Sequence, residues 1–323
     1  MVEETARSNW REHVLLAVFY AGFFFVVFSF AAYLTFPYDR LRYLLMSKAS
    51  APAEAGSGAR TLQIGELSPY GLSGVELKDV ELVQAALTPA DAPKTVRLSE
   101  LAVSISPFAL LFGERRVDVE AKIGAGSLEA ELVQSSSGQH IEAELERVDV
   151  NELGLGSYIG LPIKGNATGK IDFTLPIEIP KSSGDVKLEI KGVHIGDGKA
   201  KIKLPGMPGA GLTLDEVQAG KLDLAIQIQN GLATITKLST DGKDLKLSGK
   251  GTLRLVDPMR RSRADLSLEL KFADSFKNKS DRTRAMFDLI GMRPEWQSAT
   301  GPDGTMKVHV TGALNSMRGA PQR

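Results

Sequence analysis

Along most of the chain, apolar and polar residues alternate in short segments, and this period of two is typical of β-strands that bury one face. Gly, Pro, Asn and Asp separate the segments, as expected for turns between antiparallel strands. The pattern therefore predicts a mainly β fold, a long antiparallel sheet with one apolar and one polar face and a few short helices. The apolar positions are Val117, Val119, Ala121 and Ile123; Leu128, Ala130 and Leu132; Ile141, Ala143 and Leu145; Ile171, Phe173 and Leu175; Val186, Leu188 and Ile190; Leu222, Leu224, Ile226 and Ile228; Leu253 and Leu255; Leu266, Leu268, Leu270 and Phe272; and Met306, Val308 and Val310.

The N-terminal part of the chain lacks this alternation. From Val14 to Thr35 there is no charged residue, and a helix of that length, rising about 1.5 Å per residue, crosses a hydrocarbon core of about 30 Å. We predict a transmembrane helix over residues 14–35 rather than a cleaved signal peptide, because the apolar run is too long and no small-residue cleavage site follows it. Arg7 and Arg11 precede the helix and Arg40 follows it, so charge alone does not determine its orientation.

Residues 36–60 connect this helix to the β-rich region. The spacing of leucines over Tyr38–Met46 predicts a short amphipathic helix, which lies either against the membrane or against the following domain. Lys48–Arg60 is rich in Ala, Gly, Ser and Pro and predicts a flexible spacer. We therefore expect the folded β-rich domain to comprise residues 61–323.

Three segments interrupt the β pattern. Ser106–Phe112 and Ser280–Ile290 are predicted to be short helices at the ends of the sheet, the second with Met286 on its apolar face and Gly291 as its C-terminal stop. Leu204–Leu214 contains two prolines and three glycines and is predicted to be a loop, either touching lipid or covered by the protein.

Composition narrows the range of functions. Lys and Arg total 39, equal to Asp and Glu, so the excess of basic charge that nucleic-acid binding requires is missing. The absence of cysteine excludes disulfides, thiolate metal ligands and thiol nucleophiles. We expect neither a metal nor a cofactor, because the histidines do not have metal-site spacing and the carboxylates of one predicted strand suit a solvated face. These residues are His13, His140, His194 and His309, and Glu142, Glu144 and Glu146.

No motif in the sequence predicts catalysis. Gly165–Lys170 resembles a phosphate loop, but it is one residue too short and opens a predicted strand rather than a helix. Gly154–Gly160 misses the dinucleotide-binding pattern by one position, and no nucleophile elbow occurs. We therefore predict that the protein is not an enzyme.

Several segments resemble known families. The helix followed by Phe36–Asp39, together with Leu67–Leu82, resembles the type II secretion system protein N family. Leu98–Ala130 and Val310–Leu314 are similar to segments of the wider AsmA-like superfamily. The resemblance implies an elongated, curved antiparallel β-sheet, anchored by a single-pass helix in the cell inner membrane, with residues 1–13 in the cytoplasm and the β-rich domain in the periplasm.

The resemblance leads to two functional hypotheses. The first is an accessory component of a type II secretion system, which acts by protein–protein interaction with other secretion-system subunits through exposed strand edges. The alternative is an AsmA-like lipid-binding or lipid-transfer protein that carries phospholipid in an apolar groove. A two-layered sandwich would instead bury the apolar faces against each other. The residues expected to face lipid are Leu222, Leu224, Ile226, Leu268, Leu270 and Phe272.

Overall fold

The computed structural model describes residues 3–50, 59–85, 94–154, 156, 161–199, 201–202, 212–213, 215–314 and 316–322. Two single-turn 3-10 helices lie at Ile179–Lys181 and Met259–Arg261. The α-helices with described bounds are α1 (Glu3–Thr35), α2 (Tyr38–Ala49), α3 (Pro107–Leu111), α4 (Asp274–Lys277), α5 (Asp281–Gly291) and α6 (Pro294–Ala299).

The described strands occupy most of the chain after residue 59. They are β1 (Arg60–Tyr70), β2 (Gly74–Gln84), β3 (Lys94–Ile105), β4 (Arg115–Ile123), β5 (Gly126–Ser135), β6 (Gly138–Asp149), β7 (Ile163–Pro176), β8 (Ser183–Ile195), β9 (Lys201–Ile202), β10 (Leu212–Thr213), β11 (Val217–Gln229), β12 (Leu232–Thr240), β13 (Leu245–Arg254), β14 (Arg263–Phe272), β15 (Met306–Ala313) and β16 (Arg318–Pro321).

Fourteen of these strands form one antiparallel sheet in which each strand pairs with the next along the chain. Among the described strands, β9 and β10, which lie between β8 and β11 in the sequence, are not part of this sheet and form a separate two-stranded sheet. Strand β8 therefore pairs directly with β11. We call the end of the sheet with the β1–β2, β3–β4, β7–β8, β13–β14 and β15–β16 connections the upper end. The opposite end, where residues 273–305 join β14 to β15, is the lower end.

The alternating pattern correctly predicts this sheet. Every segment singled out by its period of two lies in a strand, except that the second apolar position of one segment, Leu255, falls one residue beyond β13. Successive side chains of a strand point to opposite faces, so the apolar residues collect on one side. The mainly β fold with few short helices is confirmed.

The apolar face is not buried by a second layer of strands. In the described residues, all fourteen strands belong to the single sheet, and the apolar clusters join neighbouring strands or strands and helices. Side chains in the middle of the apolar face, such as Leu224 and Leu268, are half-buried. A sandwich interior would bury these side chains completely, so the arrangement favours a single-layered sheet over a sandwich.

Helix α1 includes the predicted segment 14–35 and extends it to Glu3. Many of its large apolar side chains are exposed, including Phe19, Phe24 and Phe30. Within the part of the chain that the structure describes, no helix combines the length and the apolar character needed to cross a membrane. The membrane-spanning role of this segment stays a prediction.

Helix α2 confirms the predicted amphipathic segment and packs on the β-rich domain. Its residues Tyr38, Leu41, Leu45 and Met46 contact a buried cluster formed by Ile64, Leu67, Leu77 and Val80 of β1 and β2. Of the two alternatives for this segment, the structure therefore favours the contact with the domain. The predicted spacer after it falls largely in residues 51–58, outside the described residues.

The lower end of the sheet carries a small helical cap, α4 to α6, of which the sequence predicts only α5. Ser280 caps α5, its Oγ accepting a hydrogen bond from the Thr283 N–H. The predicted stop is wrong, because Gly291 lies within the helix and Met292 follows in right-handed helical geometry. Most of the predicted loop Leu204–Leu214 lies outside the described residues, but Leu212–Thr213 forms β10.

Candidate functional site

One line of paired positions crosses the apolar face from β1 to β16, and we call it the apolar row. Each of its members lies opposite the next on the adjacent strand, except where Leu238 meets Gly249 through its side chain. Only small or apolar residues occupy these positions. The members are Leu67, Leu77, Leu101, Ala121, Leu128, Leu145, Gly169, Leu188, Leu224, Leu238, Gly249, Leu268, Val308 and Pro321.

Gly249 keeps the apolar row continuous where β13 crosses it. A Cβ atom at this position would lie 2.7 Å from a methyl carbon of Leu238 and 2.7 Å from one of Leu268. The two leucines from β12 and β14 therefore cover the glycine backbone and form one apolar surface across three strands. A larger residue here would displace both leucines.

Packed clusters border the apolar row. Helix α2 covers its beginning on β1 to β3. At the lower end, Phe276 and Met286 of the cap pack against β8, β11 and β13. At the upper end, Ile179 and Leu255, from the β7–β8 and β13–β14 connections, pack against Ile228 and Ala233. The row thus has walls at both ends of the strands.

Between these walls, the part of the row from β8 to β15 stays open. Five of its residues belong to none of the buried clusters of the described chain and are half-buried. They span five inter-strand spacings of about 4.8 Å each, or about 24 Å. We call them the open segment of the row: Leu188, Leu224, Leu238, Leu268 and Val308.

The six residues predicted to face lipid divide between the walls and the open segment. Leu224 and Leu268 belong to the open segment. Leu222, Leu270 and Phe272 pack instead against the lower cluster with the helical cap, and Ile226 packs against the upper cluster. The sequence reasoning missed Leu188, Leu238 and Val308 as neighbours of Leu224 and Leu268, because strand register is not visible in the alternation.

The opposite face of the sheet is polar and carries ion pairs between strands. Glu189 lies 2.7 Å from Lys221, which lies 3.1 Å from Asp223, and Asp223 lies 2.8 Å from Lys237. Hydrogen bonds from these lysines hold the pKa of the Glu189 and Asp223 carboxyls below their usual values. This chain of alternating charges crosses β8, β11 and β12 and suits a surface in contact with water.

The helical cap is attached to the sheet through Asp215, just before β11. The Asp215 carboxylate accepts hydrogen bonds from the Ser280 and Thr283 hydroxyls, at 2.6 Å in the second case. These hydrogen bonds, those from Ser280 first, hold the pKa of the Asp215 carboxyl below its usual value. Lys279 adds a hydrogen bond of 2.7 Å to the Glu216 carbonyl. The contacts fix the start of α5, and with it the lower wall.

Replacement of Asp215 by asparagine is expected to cost about 1–2 kcal/mol of folding free energy at neutral pH, since charge-assisted hydrogen bonds are lost at a half-buried site. A lowered folded-state pKa contributes stability above the unfolded pKa, and that contribution disappears as the pH falls through the folded value. The difference between wild type and Asp215→Asn should therefore shrink below about pH 4. Denaturant unfolding of both proteins at several pH values measures this difference in folding free energy.

The control is Asp185→Asn, at an exposed position on the polar face of β8. Surface substitutions of this kind change stability by at most about 0.5 kcal/mol. A constant difference between Asp215→Asn and wild type from neutral to acidic pH would contradict the assigned role of the carboxylate.

Three of the histidines lie next to carboxylates on strands. His194 Nδ1 is 3.1 Å from Glu216 Oε1, and His309 Nε2 is 3.5 Å from Asp265 Oδ1. His140 lies near Glu142 and Asp172 at longer distances. In the described residues, no group of three or more His, Asp or Glu side chains is placed to hold a metal ion. Glu142, Glu144 and Glu146 are exposed on one face of β6, as predicted.

Two shallow depressions lie on the upper part of the sheet. One, of about 360 Å³, is lined by Gln227, Gln229 and Arg254 among others. The second, of about 710 Å³, lies between Arg254, Arg263 and Thr311. Neither includes a residue of the apolar row. Gly165–Lys170, which resembles a phosphate loop, lies in β7 and does not approach either depression.

The sequence and the fold were compared with known proteins. No family model matches the chain, and no curated protein or solved structure matches it either.

Proposed function

We propose that the protein binds lipid acyl chains along the open segment of the apolar row, the lipid-handling alternative that the AsmA-like resemblance implies. The observation that carries this proposal is a line of four half-buried leucines and a valine across six neighbouring strands, with Gly249 between Leu238 and Leu268 and no second layer over them among the described residues. Contiguous apolar surface of this kind is rarely left without a partner.

The dimensions suit an acyl chain. The open segment spans about 24 Å across the strands, whereas one leaflet contributes roughly 15 Å to a hydrocarbon core of about 30 Å. A chain lying across the strands would contact Leu188, Leu224 and Leu268 in turn. The polar headgroup would remain in water beyond the row, so one phospholipid fits without a closed cavity.

The direction of the row also suits transfer. It begins under α2, which is separated from α1 only by residues 36 and 37, and ends at β16. Thirteen spacings of about 4.8 Å carry it roughly 60 Å from its first strand. A lipid that enters near the membrane would thus have an apolar path away from it.

The proposal includes the predicted anchor. Helix α1 would hold the chain in the inner membrane, with residues 1–13 in the cytoplasm and residues 61–323 in the periplasm. The support is the run from Val14 to Thr35, which contains no charged residue. Four side chains of this run, at positions 25, 29, 32 and 34, are not among those that the structure describes. Exposed Phe19 and Phe24 would find an apolar environment there.

The accessory role in type II secretion stays a prediction. The outer edges of β1 and β16 have no strand partner within the described sheet, and unpaired strand edges can accept a strand from another protein. Arg318 and Pro321 on the four-residue β16 are typical of edges that are protected against such pairing. The geometry therefore supports lipid binding better than edge-to-edge assembly.

Photo-crosslinking in the full chain tests the proposal. A benzophenone amino acid at position 268, with the protein reconstituted in phospholipid vesicles and irradiated, is expected to give a phospholipid adduct by mass spectrometry. The control places the same group at position 267, on the polar face of the same strand. Equal labelling at 267 and 268, or no adduct at 268, would contradict binding along the row.

A further inference from the structure

The upper end of the sheet displays large apolar side chains on two neighbouring connections, β1–β2 and β3–β4. Leu72 is 95% exposed, Phe112 is 84% exposed and Phe108 is 73% exposed, with Leu110 and Ile105 about half exposed beside them. Residues 71–73 and 105–114 thus form a projecting apolar surface, which we call the apolar tip. The apolar row does not include any of these residues.

The apolar tip is an ordered part of the structure. The Ser73 hydroxyl donates a 2.6 Å hydrogen bond to the Ile105 carbonyl and joins the two connections. Within the second connection, the N–H groups of Phe112 and Glu114 donate to the Ala109 carbonyl, and Ser106 caps α3. Backbone hydrogen bonds therefore hold Phe108 and Phe112 pointing away from the sheet, without a core to receive them.

The charge around the upper end is positive. Its connections and the strand residues that flank them contain seven Lys or Arg and three Asp or Glu. Of the three carboxylates, Glu178 is paired with Lys181. None of the described carboxylates lies within ion-pair distance of Arg115, Arg254, Arg263 or Arg318. Of these arginines, Arg115 adjoins the apolar tip, whereas Arg254 and Arg263, which lie opposite each other on β13 and β14, are at least seven strands from β4 in the sheet order.

The position of the tip relative to the anchor matters as well. The tip belongs to β1 to β4, and α2 packs on β1 to β3 immediately after α1. The cluster that α2 contacts includes Leu67 and Val75, which lie four and two residues from the β1–β2 connection, or within about 14 Å, so the tip lies close to the segment that follows α1.

From these observations we propose that the apolar tip inserts into the surface of the bilayer that holds α1. Projecting aromatic and aliphatic side chains can enter the boundary between lipid headgroups and acyl chains, and the neighbouring Arg115 would meet a lipid phosphate there. The inference rests on the proposed membrane anchor and is independent of lipid binding in the apolar row. Insertion would fix the upper ends of β1 to β4 against the membrane.

The chain has no cysteine, so a single engineered thiol can report on the tip. In the full chain reconstituted in phosphatidylglycerol nanodiscs, Leu72→Cys with an environment-sensitive dye should emit at shorter wavelength and be quenched severalfold less by aqueous iodide than Met292→Cys. Met292 is equally suitable for labelling, because it is 73% exposed at the lower end. Phosphatidylcholine discs should give similar protection at position 72, because insertion depends on the apolar side chains of the tip.

A second set of variants tests the assigned residues. Phe108→Asp with Phe112→Asp, in the Leu72→Cys chain, should restore quenching to the level at Met292→Cys, while circular dichroism stays unchanged. Equal quenching at positions 72 and 292 in phosphatidylglycerol discs would overturn the proposal. Protection of position 72 that appears only in discs with two protein chains would also overturn it, because the tip would then be an interface between copies. If the protein dissociated from the discs, the proposed membrane anchor would have failed. The crosslink at position 268 tests lipid binding in the apolar row independently of the tip.

Discussion

Leu268→Asp is expected to reduce the phospholipid that copurifies with the full chain by at least about tenfold. The carboxylate would lie within the open segment, between Gly249 and Val308 on the adjacent strands. An acyl chain passing over it would have to desolvate a charge, which costs more than the 1.4 kcal/mol that corresponds to a factor of ten in binding. Phosphorus analysis of an organic extract from the purified protein gives the amount of lipid per chain.

The matched control is Ser267→Asp, which adds the same charge to the next residue of β14 on the polar face. Its paired positions are Lys250 and His309, so the new carboxylate meets the Lys250 ammonium group, the His309 ring and water. Leu224→Asp, three strands from Leu268 in the sheet order, repeats the test elsewhere in the row. Unchanged lipid content in both row variants, with native circular dichroism, would show that the row does not hold the lipid.

Should the aspartate prevent folding, Leu268→Asn provides the same test without a full charge. An amide of nearly the same shape still removes apolar contact but requires less desolvation than a carboxylate. We expect an intermediate lipid content, below wild type and above Leu268→Asp. A wild-type lipid content in a folded Leu268→Asn protein would contradict the role of this position.

The sequence predicts which residues share a face but not which residues lie opposite each other. Alternation along β11 and β14 places Leu224 and Leu268 on the apolar face, as the structure confirms. The pairing of Leu224 with Leu188 and Leu238 depends on connection lengths and on a bulge between Ala225 and Ile226. The row across the sheet is therefore a property of register, which a pattern within one strand does not contain.

The first three strands illustrate a second limit. In β2 the apolar residues are Val75 and Leu77 before Asp79, and Val80 and Leu82 after it, so the alternation changes phase. Asp79 has a positive φ of 51°, and a local change in backbone conformation lets both pairs reach the same side. A strict period of two does not fit such a strand, which explains why the alternation singled out β4 to β8 but not β2.

The sequence also contains an internal repeat, which the alternation of apolar and polar residues does not show. The segment from β7 into β8 aligns without gaps with the segment from β13 into β14: Gly169 with Gly249, Lys170 with Lys250, Leu175 with Leu255, Ser182 with Ser262, Asp185 with Asp265, Leu188 with Leu268, and Glu189 with Glu269. Both copies place a 3-10 turn before the completely buried serine. The repeat relates Leu188 to Leu268, two members of the open segment.

The helical cap shows why short elements escape prediction. Helices α4 and α6 have 4 and 6 residues, too few for a helical period to emerge or for the helix to form alone. Helix α4 is held by Phe276, which enters the core between Val217, Leu245 and Met286, and α6 is held by its own buried residue, Ala299. Helix α5 has 11 residues, with Met286 on its buried face, and its pattern is therefore recognisable in the sequence.

Phe276→Ala is expected to be the most destabilising of these substitutions, at about 3–5 kcal/mol, because it removes a buried aromatic side chain and leaves a cavity. The ring is 1% exposed and lies 5.8 Å from the Phe272 ring and 6.2 Å from the Phe287 ring, centre to centre. It joins the cap to β14 and so holds the lower wall of the apolar row. Denaturant unfolding of the full chain, followed by circular dichroism, measures the loss.

Phe108→Ala makes the same chemical change at a side chain that is 73% exposed and should alter stability by no more than about 0.5 kcal/mol. The contrast separates the two kinds of apolar residue in this protein, since Phe276 stabilises the fold and Phe108 faces outward. If Phe276→Ala were as stable as Phe108→Ala, the cap would not be anchored through this ring, and the lower wall would depend on the hydrogen bonds of Asp215 alone. A large loss confined to Phe276→Ala would instead mean that the cap and the sheet form one cooperative unit, which keeps Leu222, Leu270 and Phe272 covered while Leu224 and Leu268 remain open.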